Sequence, residues 1–223
     1  MCSSDLKKIL AGYMFDETGL EISKEDAEKL THLMIAFGKI DDGIILTSHL
    51  KGLDKIKQIR KWNPSIKILL SLVGNSEDSF SAGSASKENR NKIAKSCLDT
   101  IQKLGLDGID LDWEYPCCPE NFITASKDDK QNFTLLVKEI RETFDQAGGK
   151  HFLLTIAAGA GEYYTANTQM DKVQEYLDYV FVMTYDFRCG FHSLTGHHTN
   201  LYTAIGDLNR TSVDAAVHIF LNS

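Results

Sequence analysis

The sequence predicts an α/β fold, a parallel sheet curled as a (β/α)8 barrel of TIM-barrel type, with only about the first six βα units present. Three observations lead there. Apolar strand-like runs alternate with helix-like segments along residues 8–222, the pattern of strands joined by crossover helices. The strand runs are apolar at nearly every position, as expected where both faces of a strand are covered. Polar residues also gather at the C-terminal ends of several runs: Ser71 on the third, Asp112 and Glu114 on the fourth, Tyr185 and Asp186 on the sixth. A barrel of this type carries its functional residues there. An open doubly wound sheet is the rival architecture, but neither G-x-G-x-x-G nor G-x-x-x-x-G-K-[ST] follows the first strand. Six units in 223 residues fall two units short of a barrel of about 250 residues. Residues 1–223 therefore read as one incomplete domain, with the last two βα units absent.

Each element has a local reason. The first strand, 8–14, precedes a helix over 23–30, where Ser23 with Asp26 three residues on forms an N-cap arrangement. A strand over 31–40 leads to an amphipathic helix over 50–62, stopped by Asn63 and Pro64. The third strand, 65–73, is followed by a helix over 89–105 that ends at glycine. The fourth strand, 108–114, precedes a long helix over 128–149 with Phe133, Leu136, Val137, Ile140 and Phe144 on one face. Strands over 150–159 and 178–186, with helices over 170–177 and 212–222, complete the pattern.

A net charge of −7 leaves no basic surface for nucleic acid or an anionic membrane, so neither partner is expected. No apolar run reaches the length of a membrane span, and the N-terminus is not a convincing signal peptide. The five cysteines, Cys2, Cys97, Cys117, Cys118 and Cys189, are odd in number and scattered, and are expected as reduced thiols. His192, His197 and His198 lie close in sequence, but nothing completes a recognised ligand spacing, so no metal or other cofactor is expected.

The stretch LDGIDLDWEYP, residues 106–116, is the unusual one. Four acids lie in eight residues with no basic neighbour, in an otherwise apolar run. Strand alternation puts Asp110, Asp112 and Glu114 in a row on one face, about 6.7 Å apart, and turns Ile109, Leu111 and Trp113 toward the helices. Asp107 lies before the strand and serves the turn. Such a row cannot ionise fully at low cost, so at least one proton is held, between Asp110 and Asp112. The arrangement suits a glycosidase, whose acid at the rim, Glu114, donates a proton. A calcium loop fits poorly, because Tyr115 stands where that loop needs glycine. A purely structural acid cluster would want arginine partners that the segment lacks.

DGIDLDWEYP over 107–116 resembles the D-G-x-D-x-D-W-E signature of glycoside hydrolase family 18, the chitinases and related endo-N-acetylglucosaminidases, and the chain is closest to bacterial-type chitinases. THLMIAF (31–37), YVFVMTYDF (179–187) and GHHTNLY (196–202) are similar to family segments in the same order. The resemblance implies a chitinase-type hydrolase cleaving β-1,4-N-acetylglucosamine linkages by a substrate-assisted retaining mechanism. Its substrates would be chitin or N-acetylglucosamine oligosaccharides. Glu114 would be the acid and later the base, and Asp112 would hold the acetamido N–H. Asp110 would share its proton with Asp112, Tyr185 would bond the acetamido oxygen, and Asp186 a neighbouring sugar. Ser71 would support Asp110, and Tyr13, Phe37, Tyr115 and Met183 would line the sugar site. Trp113 is grouped with these substrate-binding residues, although alternation points it toward the helices. The alternatives are an endo-β-N-acetylglucosaminidase on N-glycans and a non-catalytic sugar-binding module. A monomer is expected, and secretion from the resemblance alone. The chain departs from the family pattern at Val73, where a glycine is usual, and at Met34, often a polar position.

Overall fold

Six strands run parallel in chain order and each hands over to helical structure on the outer side of the sheet. The computed structural model describes residues 8–76, 79–119, 123–190 and 192–223. The elements are β1 (Ala11–Phe15), α1 (Lys24–Lys29), β2 (His32–Asp41), β3 (Ile44–Leu46), α2 (Ile56–Trp62), β4 (Lys67–Gly74), α3 (Ser79–Ala85) and α4 (Lys87–Leu104). They continue with β5 (Gly108–Leu111), α5 (Asp129–Gln146), β6 (Leu153–Gly159), α6 (Glu162–Ala166), α7 (Met170–Val173), β7 (Tyr179–Met183) and α8 (Val213–Leu221). The sheet order is β1-β2-β4-β5-β6-β7, with β3 antiparallel on β2.

Two apolar layers explain the nearly continuous hydrophobic strands. On the outer face, Ile35, Ile68, Leu70, Ile109, Leu111, Leu154 and Ile156 join Ile93, Cys97, Ile101, Phe133, Leu136, Val137, Ile140 and Phe144 in one buried cluster. On the inner face, Tyr13 of β1 meets Phe181 of β7 edge to face, with ring centres 6.2 Å apart. Lower down, His32 of β2 meets Tyr179 of β7 at 5.3 Å. Strands at opposite ends of the sheet touch through inward side chains, so the sheet is strongly curled. That is the partial barrel the alternating pattern predicts.

The caps follow from chemistry. The Ser23, Ser86 and Ser212 hydroxyls accept from the Asp26, Asn89 and Ala215 amides and start α1, α4 and α8. Gly105 ends α4 with φ of 67°, a conformation open to glycine at little cost.

The structure adds elements that the strand–helix pattern does not predict. Asp42 and Gly43, with φ of 43° and 72°, make the tight hairpin turn from β2 into β3. The short helices α3 and α6 lie in segments read as connections. The fourth strand is also shorter than predicted: the ladder of β5 ends at Leu111, with one further bond from the Asp112 amide to the Leu72 carbonyl at 2.9 Å. Among the described residues no helix is long and apolar enough to cross a membrane.

Candidate active site

β1, β4 and β6 each send a side chain to the acid row that begins on β5, and β7 leads into Tyr185 close by. Asp110, on β5, is fully buried and accepts three hydroxyl hydrogen bonds. Ser71 on β4 donates at 2.7 Å and Tyr13 on β1 at 2.9 Å, both to Oδ2, while Thr155 on β6 donates to Oδ1 at 2.6 Å. Burial pushes the Asp110 carboxyl up, against the pull of the three donors. Those donors favour its anion.

Asp112 is different. Its Oδ1 is buried and has no hydrogen-bond partner among the described residues. Burial, then the charges of Glu114 and Asp110, push its carboxyl up to about 8. No hydrogen bond joins Asp110 to Asp112 among the described residues. With three hydroxyls holding the Asp110 anion and none on Asp112 Oδ1, the proton retained by the pair belongs on Asp112.

Glu114 stands beyond the end of the strand, half-buried, where the row opens to the rim. Tyr185 is half exposed; burial raises its phenol, and the charges of Asp112, Glu114, Asp186 and Asp110 add to this, so the residue lies near the row. Asp186 has φ of 57° and its Oδ1 lies 3.6 Å from His198 Nδ1. Phe37 sits where the β2–β4 register slips between Ala36 and Gly38, a bulge that re-aims its ring to meet Phe15 edge-on at 5.4 Å. Met183 closes β7, partly buried. Tyr115 is raised by burial, by the charge of Glu114 and by a hydrogen bond with Tyr163.

A family model, glycosyl hydrolases family 18, matches residues 9–223. The chain belongs to glycosyl hydrolase family 18. It is 38% identical over 155 residues to chitinase A1 of Niallia circulans, covering 67% of this chain and 22% of that protein. It is 31% identical over 209 residues to chitotriosidase-1 of Mus musculus, covering 88% and 44% respectively. The chain thus spans less than half the length of these curated relatives. Among solved structures, a family 18 N-acetylglucosaminidase from Paenibacillus barengoltzii superposes with a TM-score of 0.91 at 47% identity, covering 97% of this chain and 65% of that one. A group II chitinase catalytic domain from Ostrinia furnacalis, solved in complex with (NAG)5, superposes at 0.82 with 27% identity, covering 95% and 60%.

Set in this family 18 frame, most of the residues singled out from sequence come together: Tyr13, Ser71, Asp110, Asp112, Glu114, Tyr115 and Tyr185 share one end of the barrel. Trp113 does not join them, and its placement as a substrate-binding residue is corrected. Its indole is buried in the helical layer, stacked on Phe80 of α3 at 5.2 Å and edge-on to Phe133 of α5 at 5.8 Å. The reason is the alternation that turns Asp112 inward and its neighbour outward.

Two residues beside the acids went unnoticed in the sequence. Thr155 bonds Asp110, yet LLTIAAG reads simply as a buried strand. Tyr163, 45% exposed, meets Tyr115 edge-on at 5.2 Å, and burial and the charge of Glu114 raise its phenol. It fits only because Gly159 and Gly161 leave room: a Cβ on Gly159 would lie 2.3 Å from the Tyr163 hydroxyl. The cavity of about 770 Å³ beside α6 and α8, lined by Glu162, Arg210 and His218 among others, does not contain the acids.

Proposed function

We propose that the protein hydrolyses β-1,4-linked N-acetylglucosamine polymers with substrate-assisted retention. We assign residues 1–223 to one catalytic domain of that enzyme. The observation that carries this is Asp112 Oδ1, a buried acceptor without a donor among the described residues, two residues before the rim acid Glu114. A buried acceptor is costly unless something completes it, and an acetamido N–H of a bound sugar would do so.

The chemistry follows from the row. Glu114 gives its proton to the glycosidic oxygen as the bond to the anomeric carbon breaks. The acetamido oxygen of the same sugar forms the new bond to that carbon, giving an oxazolinium ion. Asp112 accepts the acetamido N–H at Oδ1, an interaction that strengthens as positive charge develops on the ring. Tyr185 donates to the acetamido oxygen and aligns it. Glu114 then takes a proton from water, which adds to the anomeric carbon and reopens the ring. No second protein carboxylate acts as nucleophile, the substrate-assisted exception among glycosidases. The tyrosine faces at the rim suit the apolar faces of sugar rings.

The test is cleavage of a soluble chitin oligosaccharide by the whole protein and by Glu114→Gln. A loss of about 10³-fold or more in the variant is expected for a missing general acid. Equal rates would remove Glu114 from the chemistry. The resemblance to the Paenibacillus N-acetylglucosaminidase at 47% identity favours a second reading, release of single N-acetylglucosamine units, which chromatography of the products distinguishes from release of longer oligomers.

A further inference from the structure

Glu114 lies outside the ladder of β5, so strand pairing does not fix it. The chain on either side of it is held instead by α3 and α5. Before it, Trp113 is clamped between Phe80 of α3, stacked at 5.2 Å, and Phe133 of α5, edge-on at 5.8 Å. After it comes a β-turn closed by the Cys118 amide donating to the Tyr115 carbonyl at 3.1 Å, with Pro116 and Cys117 at its corners. Cys117 has φ of 61°, as a type II turn requires at that corner, where glycine is the favoured residue. A non-glycine residue held there needs outside support.

Asp129 supplies it. This side chain is fully buried at the first turn of α5. Its Oδ2 accepts from the Cys117 amide at 3.4 Å and from the Ser126 amide at 2.7 Å, while Oδ1 accepts from the Ser81 hydroxyl of α3 at 2.7 Å. Asp129 and Phe133 are one helical turn apart, and Ser81 follows Phe80. The same two helices therefore grip the chain on both sides of Glu114.

We infer that Asp129 is a positioning residue for Glu114, holding the Tyr115–Cys118 turn that sets the direction of the acid; the inference rests on the catalytic reading above. Asp129→Ala is the sharp variant, because it removes the oxygen that the Cys117 and Ser126 amides share, whereas an asparagine could turn its carbonyl to them and its nitrogen to the Ser81 hydroxyl. Cys117→Gly is its counterpart, because glycine adopts the turn without support.

The experiment uses the whole protein, a soluble chitin oligosaccharide, and amide hydrogen exchange read by mass spectrometry. For Asp129→Ala, kcat falls about tenfold or more with KM nearly unchanged, exchange quickens at 115–118 before elsewhere, and adding Cys117→Gly restores a large part of kcat. An unchanged kcat overturns the inference. So does a loss that Cys117→Gly does not relieve and that accompanies faster exchange throughout, since that is global destabilisation. If the wild type does not cleave, the catalytic reading fails by itself. Exchange then decides the bracket: quickening confined to 115–118 supports it, and unchanged or uniform exchange overturns it.

Discussion

Asp107 and Asp112 lie at opposite ends of the same short strand and have opposite surroundings. At the bottom, Asp107 accepts from the Ile68 amide at 2.9 Å, from Arg60 at 2.7 Å and from Lys150 at 2.9 Å. Burial works to raise its carboxyl, but those bonds and the Arg60 charge outweigh burial and hold it below the usual carboxylate range. At the top, Asp112 has burial and two like charges, an unpaired oxygen, and a carboxyl pushed up to about 8. One acid is completed by the protein and tied to stability. The other has no donor to its Oδ1 among the described residues, and under the proposed function a bound sugar supplies one. Acidic residues in a strand are thus not one signal; what distinguishes them is which end of the barrel they occupy and who donates to them.

The largest test of that contrast is Asp112→Asn. It should lower kcat by about 10²–10³-fold, because an electrostatic contribution at the developing positive charge is lost. The melting temperature should stay the same or rise near neutral pH, since asparagine carries no charge to be buried beside Glu114 and Asp110. A parallel loss of stability would mean that Asp112, too, is structural.

Asp107→Asn should do the reverse. It should cost about 2–4 kcal/mol of folding stability by stranding Arg60 and the Ile68 amide, leaving kcat of the folded fraction intact; denaturant melts with parallel kinetics check both. The pH dependences should also be opposite. The depressed Asp107 contributes stability that is present above the unfolded carboxylate value of about 3.9 and lost as pH falls through its lower folded value. The raised Asp112 stabilises the fold fully below about 3.9, and that contribution is lost as pH rises toward about 8. Melting temperature against pH should therefore lose its acid fall in Asp107→Asn, and its decline toward neutrality in Asp112→Asn. The smallest effect is expected from Thr155→Val, which removes one of three donors to Asp110. We expect about a tenfold fall in kcat with an altered pH–rate profile, recovered by Thr155→Ser.

The sequence made the barrel strands legible because both-face burial leaves long apolar runs, and it made the acids legible because three carboxylates on one face of such a run, Asp110, Asp112 and Glu114, are costly to bury together. What it hid has physical causes. The Asp42-Gly43 turn is a hairpin signal, but a strict strand–helix reading passes over a three-residue antiparallel strand. SFSAGSA has poor helix propensity and becomes α3 through tertiary contacts, Phe80 on Trp113 and Ser81 on Asp129. Thr155 looks like any β-branched strand residue until its neighbour across the sheet is known. Trp113 shows that sitting inside a catalytic signature does not place a side chain in the site: the indole belongs to the helical layer, and only its backbone neighbours face the cleft.

The three hydroxyls around Asp110 also say something about how the protein comes into being. They are separated from it by 97, 39 and 45 residues along the chain and reach it from β1, β4 and β6. Each contact closes a long loop, an entropic cost that must be met before the contact is formed. The carboxylate is therefore furnished only when four strands have already found their register. During synthesis, the chain should carry a folding barrel before it carries a competent site, so that activity reports the last stage of assembly rather than the first.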